Sequence, residues 1–264
     1  MSMSGKDPMA FEFPQGNDVL RRLQAIEFKM AVAIKDILER NGVRYVIEYG
    51  SLLGAVRHGG FIPWDDDFDF VIFDDDYEIA SKALRKELPE EFILHDRVSD
   101  PDYCLSFSKV RHLNSYVQED GIVDDLRYNG ISVDLFKGCI EKNNKFARRL
   151  FLSKSHSESH WRKFRHSHRP GELLKAVGEG ILFCYYAILH SLTPQTDYFH
   201  KSPDTDQYFI PLDRYLPLSK VMFNGVEFCA PFDPDFVLTD RYGDWRAYPK
   251  TISFHIKMIE IYSD

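Results

Sequence analysis

Ile62-Pro63-Trp64-Asp65-Asp66-Asp67-Phe68-Asp69-Phe70-Val71-Ile72 places four carboxylates within five residues and then runs into aromatic and β-branched residues with the composition of a buried strand. Side chains of an extended chain alternate faces, so Asp67 and Asp69 project to one side, about 7 Å apart at Cα, while Phe68 and Phe70 take the other. Two carboxylates on one face suit a divalent cation. Mg²⁺ is commonly held by one or two carboxylates together with substrate phosphate oxygens, so an Asp-x-Asp at a strand start points to phosphoryl or nucleotidyl transfer. A solvated acidic turn ahead of a strand has the same composition, and the pair alone does not separate the two readings.

Upstream, Tyr45-Val46-Ile47-Glu48-Tyr49 has strand composition and ends at Gly50-Ser51, before the short helical run Leu52-Leu53-Gly54-Ala55-Val56-Arg57-His58. A glycine turn lets the backbone approach a phosphate, Ser51 can cap the helix or bind a phosphate oxygen, and a helix N-terminus favours an anion. Arg57 and His58 follow near the helix end. A Gly-Ser turn is more often a plain helix cap, but joined to Asp-hydrophobic-Asp-hydrophobic some sixteen residues on, it resembles the nucleotidyltransferase fold. That fold needs a third carboxylate on a neighbouring strand. Ile131-Ser132-Val133-Asp134-Leu135-Phe136 offers Asp134 in an apolar run, where a lone carboxylate is costly to bury, so Asp134 is expected to face Asp67 and Asp69.

The run Gly50-Ser51-Leu52-Leu53-Gly54-Ala55-Val56-Arg57-His58 through Phe61-Ile62-Pro63-Trp64-Asp65-Asp66-Asp67-Phe68-Asp69 resembles the hallmark of the LicD family, which includes phosphocholine transferases and the fukutin-related proteins. The resemblance continues through Phe107-Ser108-Lys109-Val110-Arg111, Gly130 to Phe136 and Tyr242-Gly243-Asp244-Trp245 with Pro249, roughly residues 18 to 255. It departs at Lys137, where many relatives carry proline, which bears on loop geometry or acceptor binding. The resemblance implies transfer of phosphocholine or a polyol phosphate from a CDP-alcohol donor to a hydroxyl of a surface or capsular glycan, or of a lipid-linked glycan precursor, with CMP released. It also implies two Mg²⁺ or Mn²⁺ ions on Asp67, Asp69 and Asp134. Gly50 and Ser51 would hold donor phosphate, with Lys109, Arg111, Arg57 or His58 reaching the same anion. The expected fold is α+β: a nucleotidyltransferase-like mixed sheet flanked by helices, with an additional C-terminal helical part.

Composition agrees with this without deciding it. A chain of 264 residues with 44% hydrophobic content can bury one sizeable core, read as a tail over residues 1–14 and a single domain over 15–264. A net charge of −8 argues against general nucleic-acid binding. Cys104, Cys139, Cys184 and Cys229 are widely spaced, without a zinc or disulfide pattern, and are expected as reduced core residues. No continuous apolar run approaches a membrane span and no signal peptide is evident, so a cytoplasmic protein is expected, with association at a membrane left open.

Apolar residues at helical spacing predict a helix over 17–40 on Leu20, Leu23, Ile26, Met30, Ile34, Ile37 and Leu38, closed by Asn41-Gly42. Helices are further expected over 77–88, 143–168, 172–192 and 233–242. Strands over 45–49, 67–72, 91–97, 104–111, 115–119 and 130–136 are expected to form one mixed sheet, and Asn224-Gly225 predicts a tight hairpin. The apolar centre Ile181–Leu189 is read as a core helix, too short to span a bilayer, with an interfacial helix as the alternative. The basic stretch from Arg148 to Arg169 has three readings: a surface for anionic lipid, a contact for a phosphorylated acceptor, or a solvated helix face. Two rival functions stand beside the transferase: an enzyme of the same fold that leaves a nucleotide on a small molecule, protein or RNA, and a non-catalytic binding protein with a degenerate site.

Overall fold

The computed structural model describes residues 11–119, 126–201, 209–252, 254 and 256–263. Helix α1 (Asn17–Arg40) buries the seven apolar residues expected from their spacing, and Asn41 ends it by donating its side-chain amide to the Ile37 carbonyl at 2.9 Å. There follow β1 (Tyr45–Ile47), α2 (Tyr49–His58), β2 (Asp69–Phe73), α3 (Asp74–Glu87), β3 (Phe92–His95), β4 (Ser108–His112), β5 (Ser115–Glu119) and β6 (Ser132–Asn143). Next come α4 (Ala147–Ser167), α5 (Pro170–Leu192), β7 (Thr196–Lys201), β8 (Ile210–Pro211) and α6 (Leu212–Tyr215). The chain continues through β9 (Ser219–Phe223), β10 (Val226–Ala230), α7 (Pro234–Tyr242) and β11 (Ile256–Ile261).

The main sheet runs β1-β2-β6-β4-β3, with β2 and β6 parallel and the other pairs on this path antiparallel, giving the α+β mixed sheet anticipated from the sequence. Strand β2 is fixed by its apolar face. Phe68 and Phe70 are fully buried and pack against Phe228, with Phe68 also 5.0 Å from Phe223 between ring centroids. Burying one such ring is worth roughly 2–3 kcal/mol. Phe223 and Phe228 come from the β9–β10 hairpin, whose turn has Asn224 and Gly225 at φ 47° and 81°, as its Asn-Gly sequence requires.

The chain divides into two compact units, one of residues up to 138 with 216–264 and one of 139–215. In the second unit the later part of β6 is followed by the antiparallel pair of α4 and α5, with β7, β8 and α6 completing it. Residues 1–10 of the expected tail lie outside the described residues. At its end, Phe13 is buried, 5.0 Å edge-on to Phe254, because its ring is large enough to gain from burial.

Some expectations are corrected. The 115–119 strand pairs with β11 rather than joining the main sheet. None of the four cysteines is in the core: Cys104 and Cys184 are exposed, Cys139 and Cys229 half-buried, and all are free thiols. Helix α5 is not a core helix. It is long and apolar enough to cross a membrane by length and composition, yet only 6% of its most apolar window is buried, with α4 packed on one face.

Candidate active site

The parallel register of β2 with β6 sets Asp69 directly opposite Asp134, and the Asp134 amide donates to the Phe68 carbonyl at 2.9 Å. On the other side of β6, β4 sets Lys109 opposite Asp134, and the ammonium lies 2.9 Å from its Oδ1. Two carboxylates and one buried cation are thus fixed by strand pairing. Ser51 reinforces the arrangement. Its hydroxyl accepts from the Asp69 amide at 2.8 Å, so α2 is tied to the strand start.

Asp67 precedes the strand, and Asp65 and Asp66 form the turn before it. The Asp66 Oδ2 accepts from the Ile256 amide at 3.0 Å. The Asp65 Oδ2 is shut off from solvent without a hydrogen-bond partner. Burial, then the charges of Asp67 and Asp66, push the Asp65 carboxyl well above the usual carboxylate range, against the pull of Arg57. Gly50 is needed here for space: a Cβ on it would lie 2.6 Å from Asp65 Oδ2.

Gly50 and Ser51 therefore sit in the first turn of α2, where the sequence suggested a strand-ending glycine turn, and the strand ends earlier, at Ile47. Tyr49 opens the helix at φ 54°, a conformation costly for a non-glycine residue, and the Arg241 guanidinium stacks on its ring at 3.9 Å.

The expected donor contacts are not gathered at one point. Lys109 lies on Asp134. Arg111 is fully buried and donates to the Gly130 carbonyl at 2.8 Å. Arg57 donates to the Trp245 carbonyl at 2.9 Å and to His58 Nε2 at 2.9 Å. Arg57 lines a cavity of about 440 Å³ with Trp64, Tyr242, Asp244, Trp245 and Tyr248. The late Tyr242-Gly243-Asp244-Trp245 segment thus both stops α7, with Gly243 at φ 70°, and walls this cavity. The cavity borders the acidic turn, since Ile62 and Trp64, just before Asp65, line it; burial raises the Tyr242 hydroxyl above its ordinary value, Arg241 opposes this, and the charges of Asp69, Asp65 and Asp67 add to the rise.

Residues 42–176, the segment carrying Asp65 through Asp69, Lys109 and Asp134, match the family described as LicD/FKTN/FKRP, nucleotidyltransferase domain. This chain belongs to that family. It is 54% identical over 220 residues to an uncharacterised protein of Rickettsia typhi, a match covering 83% of this chain and 46% of that protein. Over 83 residues it is 60% identical to human ribitol 5-phosphate transferase FKRP, covering 30% of this chain and 17% of that protein. Over 73 residues it is 39% identical to lipopolysaccharide cholinephosphotransferase LicD of Haemophilus influenzae, covering 28% of each. The chain thus spans less than half the length of each of these relatives.

In this LicD-family site the sequence reading missed Glu27 and Arg241. Glu27 is buried on α1 with its Oε2 unpartnered. Burial, then the charges of Asp67, Asp66, Asp65 and Asp134, push it well above the usual carboxylate range. Gln24, one turn earlier, donates to the Asp65 carbonyl at 2.8 Å, so α1 runs under the acidic turn. A carboxylate four residues after Leu23 and three before Met30, inside an apolar stripe, was the available signal. Arg241 is a buried cation 3.5 Å from Glu48, and no local pattern marks it. Burial disfavours its charge, and Glu48, Tyr49 and Tyr242 outweigh that effect.

Proposed function

We propose that this chain transfers a phospho-alcohol group, phosphocholine or a polyol phosphate, from a CDP-activated donor to a hydroxyl of a cell-surface or capsular glycan or its precursor. The observation that carries the reading is Asp69 opposite Asp134 on parallel strands, beside the Asp65–Asp67 turn, within the family-matched segment. The printed activities of the human and Haemophilus relatives, ribitol 5-phosphate and choline phosphate transfer, support the same reaction class.

The donor atoms fit a hard divalent cation such as Mg²⁺ or Mn²⁺: they are carboxylate oxygens, and two of them, on Asp65 and Glu27, are buried without partners. Among the described residues no three His, Cys, Asp or Glu side chains form a ready-made cage. That suits ions shared with substrate phosphate. Asp67, Asp69 and Asp134 would hold two ions, which supply charge neutralisation at the reacting phosphate. Lys109, 2.9 Å from Asp134 Oδ1, orients this carboxyl, and Asp134 would take the hydrogen of the acceptor hydroxyl. The acceptor oxygen then bonds to the phosphorus bearing the alcohol, the bond from that phosphorus to the bridging oxygen breaks, and CMP departs with that oxygen and the electron pair. The aromatic walls of the Trp64–Tyr248 cavity suit a stacked base or a quaternary ammonium.

The test is calorimetric titration of CDP-choline, CDP-ribitol, CDP-glycerol and CMP into the folded chain, with Mg²⁺ and then with chelator. A metal-dependent preference for one CDP-alcohol identifies the donor. Incubating that donor with glycan acceptors should then yield CMP and an acceptor heavier by the phospho-alcohol. An acceptor heavier by a nucleotide would replace this reading with nucleotidyl transfer, and no cytidine binding by the metal-loaded chain would remove the CDP donor.

A further inference from the structure

We infer that the α4–α5 hairpin docks on an anionic bilayer surface, with α5 lying along it on its apolar face. This does not depend on the transferase reading. Leu174, Val177, Ile181, Tyr185, Ile188 and Leu192 are 53% to 77% exposed. At 100° per residue they fall within an arc of about 80°, in a stripe roughly 27 Å long. The opposite face is the covered one. Ser157 donates to the Ala176 carbonyl at 2.9 Å, His160 lies 2.7 Å from Glu172, and Arg149 reaches the Tyr186 hydroxyl at 3.3 Å, all from α4.

Charge decides what covers the stripe. Residues 147–169 carry seven Lys and Arg against one Glu, in a chain of net charge −8. At the hairpin turn, where the stripe begins, Arg162, Lys163 and Arg169 line a cleft of about 470 Å³ with Ser159 and Ser167. Its one acid, Glu172, is already engaged by His160 and by Lys175 at 3.2 Å. Basic side chains of this length reach lipid phosphates while an adjoining apolar face enters the acyl boundary. A second copy of the chain fits less well. A two-helix seam is a narrow stripe flanked by charges that set its register, whereas from Gly180 to Leu192 the only ionisable side chains besides Cys184, Tyr185 and Tyr186 are that of His190.

The experiment is co-sedimentation of the full chain with vesicles of phosphatidylcholine alone or mixed with phosphatidylglycerol, at low and high salt, with sedimentation equilibrium without lipid. The chain should pellet with the anionic vesicles and be released by salt. Ile181→Ser with Ile188→Ser, both at exposed positions, should weaken binding about a hundredfold, and Arg162→Gln with Arg169→Gln about thirtyfold. Folded chain that ignores anionic vesicles would overturn the inference. So would lipid-free self-association abolished by the serine pair, which would assign the stripe to a second copy, or binding that resists both salt and carbonate, which would make α5 a spanning helix.

Discussion

At the scale of single residues, the site gathers acids whose repulsion the isolated chain relieves by holding protons on Glu27 and Asp65 more tightly than a free carboxyl would. Glu27 and Asp65 each hold a buried, unpartnered carboxyl oxygen beside further carboxylates. Glu27→Gln keeps the shape and removes the cost of burying this acid or of protonating it, so in chelator at neutral pH the variant should be about 1–2 kcal/mol more stable than the parent chain. Its affinity for Mg²⁺, followed by calorimetry, should fall at least tenfold. A variant less stable in chelator, with unchanged Mg²⁺ affinity, would make Glu27 a structural group only. Gly50→Ala separates space from folding. The alanine gains part of the roughly 1 kcal/mol of helix propensity seen in helix interiors, since Gly50 lies in the first turn, while its Cβ displaces the far end of the Asp65 side chain. Thermal stability should therefore change little and cation affinity should drop. In contrast, a Cβ on Gly130 would fall 1.8 Å from the His112 carbonyl oxygen, a rigid backbone atom, so Gly130→Ala should give mostly insoluble chain on expression.

At the scale of elements, β3 carries a buried acid-sensitive group. His95 is fully buried, its Nε2 lies 3.0 Å from Asp100, and its Nδ1 has no partner. Burial lowers its affinity for a proton, Asp100 partly restores it, and the Arg111 charge opposes it again. The unfolded chain therefore protonates this histidine first. Its contribution to stability is complete above the ordinary histidine value of about 6.5 and is lost as the pH falls below it. The lowered Asp100 carboxyl acts only in more acid solution, below the ordinary aspartate value. The raised Glu27 and Asp65 carboxyls act in the opposite sense over this range, so His95 is read from the difference between chains: from pH 7 to 5.5 the urea midpoint of His95→Gln should move upward relative to that of the parent, and an equal pH dependence in both would exclude His95. The same scale shows what a sequence discloses. The periodicity of α1, the Asn224-Gly225 turn and the Asp233–Gly243 bounds of α7 were legible because propensity and capping act within a few residues. The pairing of β5 with β11 was not, since its partners are more than a hundred residues apart. Nor was the exposure of α5, whose apolar composition is that of a core helix.

At the scale of the whole molecule, the same distinction runs through the site. That Asp69 and Asp134 come together was readable because a carboxylate in an apolar strand is costly to bury alone, whereas the nearness of Glu27 and Arg241 depends on which helices lie against that strand. Folding therefore works against the gathered acids. A divalent cation that binds only the folded chain should reverse this, adding about 2.7 kcal/mol at a hundred times its dissociation constant. For a protein of this size that corresponds to a rise in Tm of roughly 5–10 °C. Asp67→Asn with Asp69→Asn should show the complementary behaviour: a Tm in chelator at or above that of the parent, because repulsion is relieved, and little or no rise with Mg²⁺ or Mn²⁺. Scanning calorimetry of both chains, with each ion and with chelator, reads the two effects at once. A parent Tm indifferent to either ion would remove the cation from the site, whereas an equal rise in both chains would move it to carboxylates other than Asp67 and Asp69.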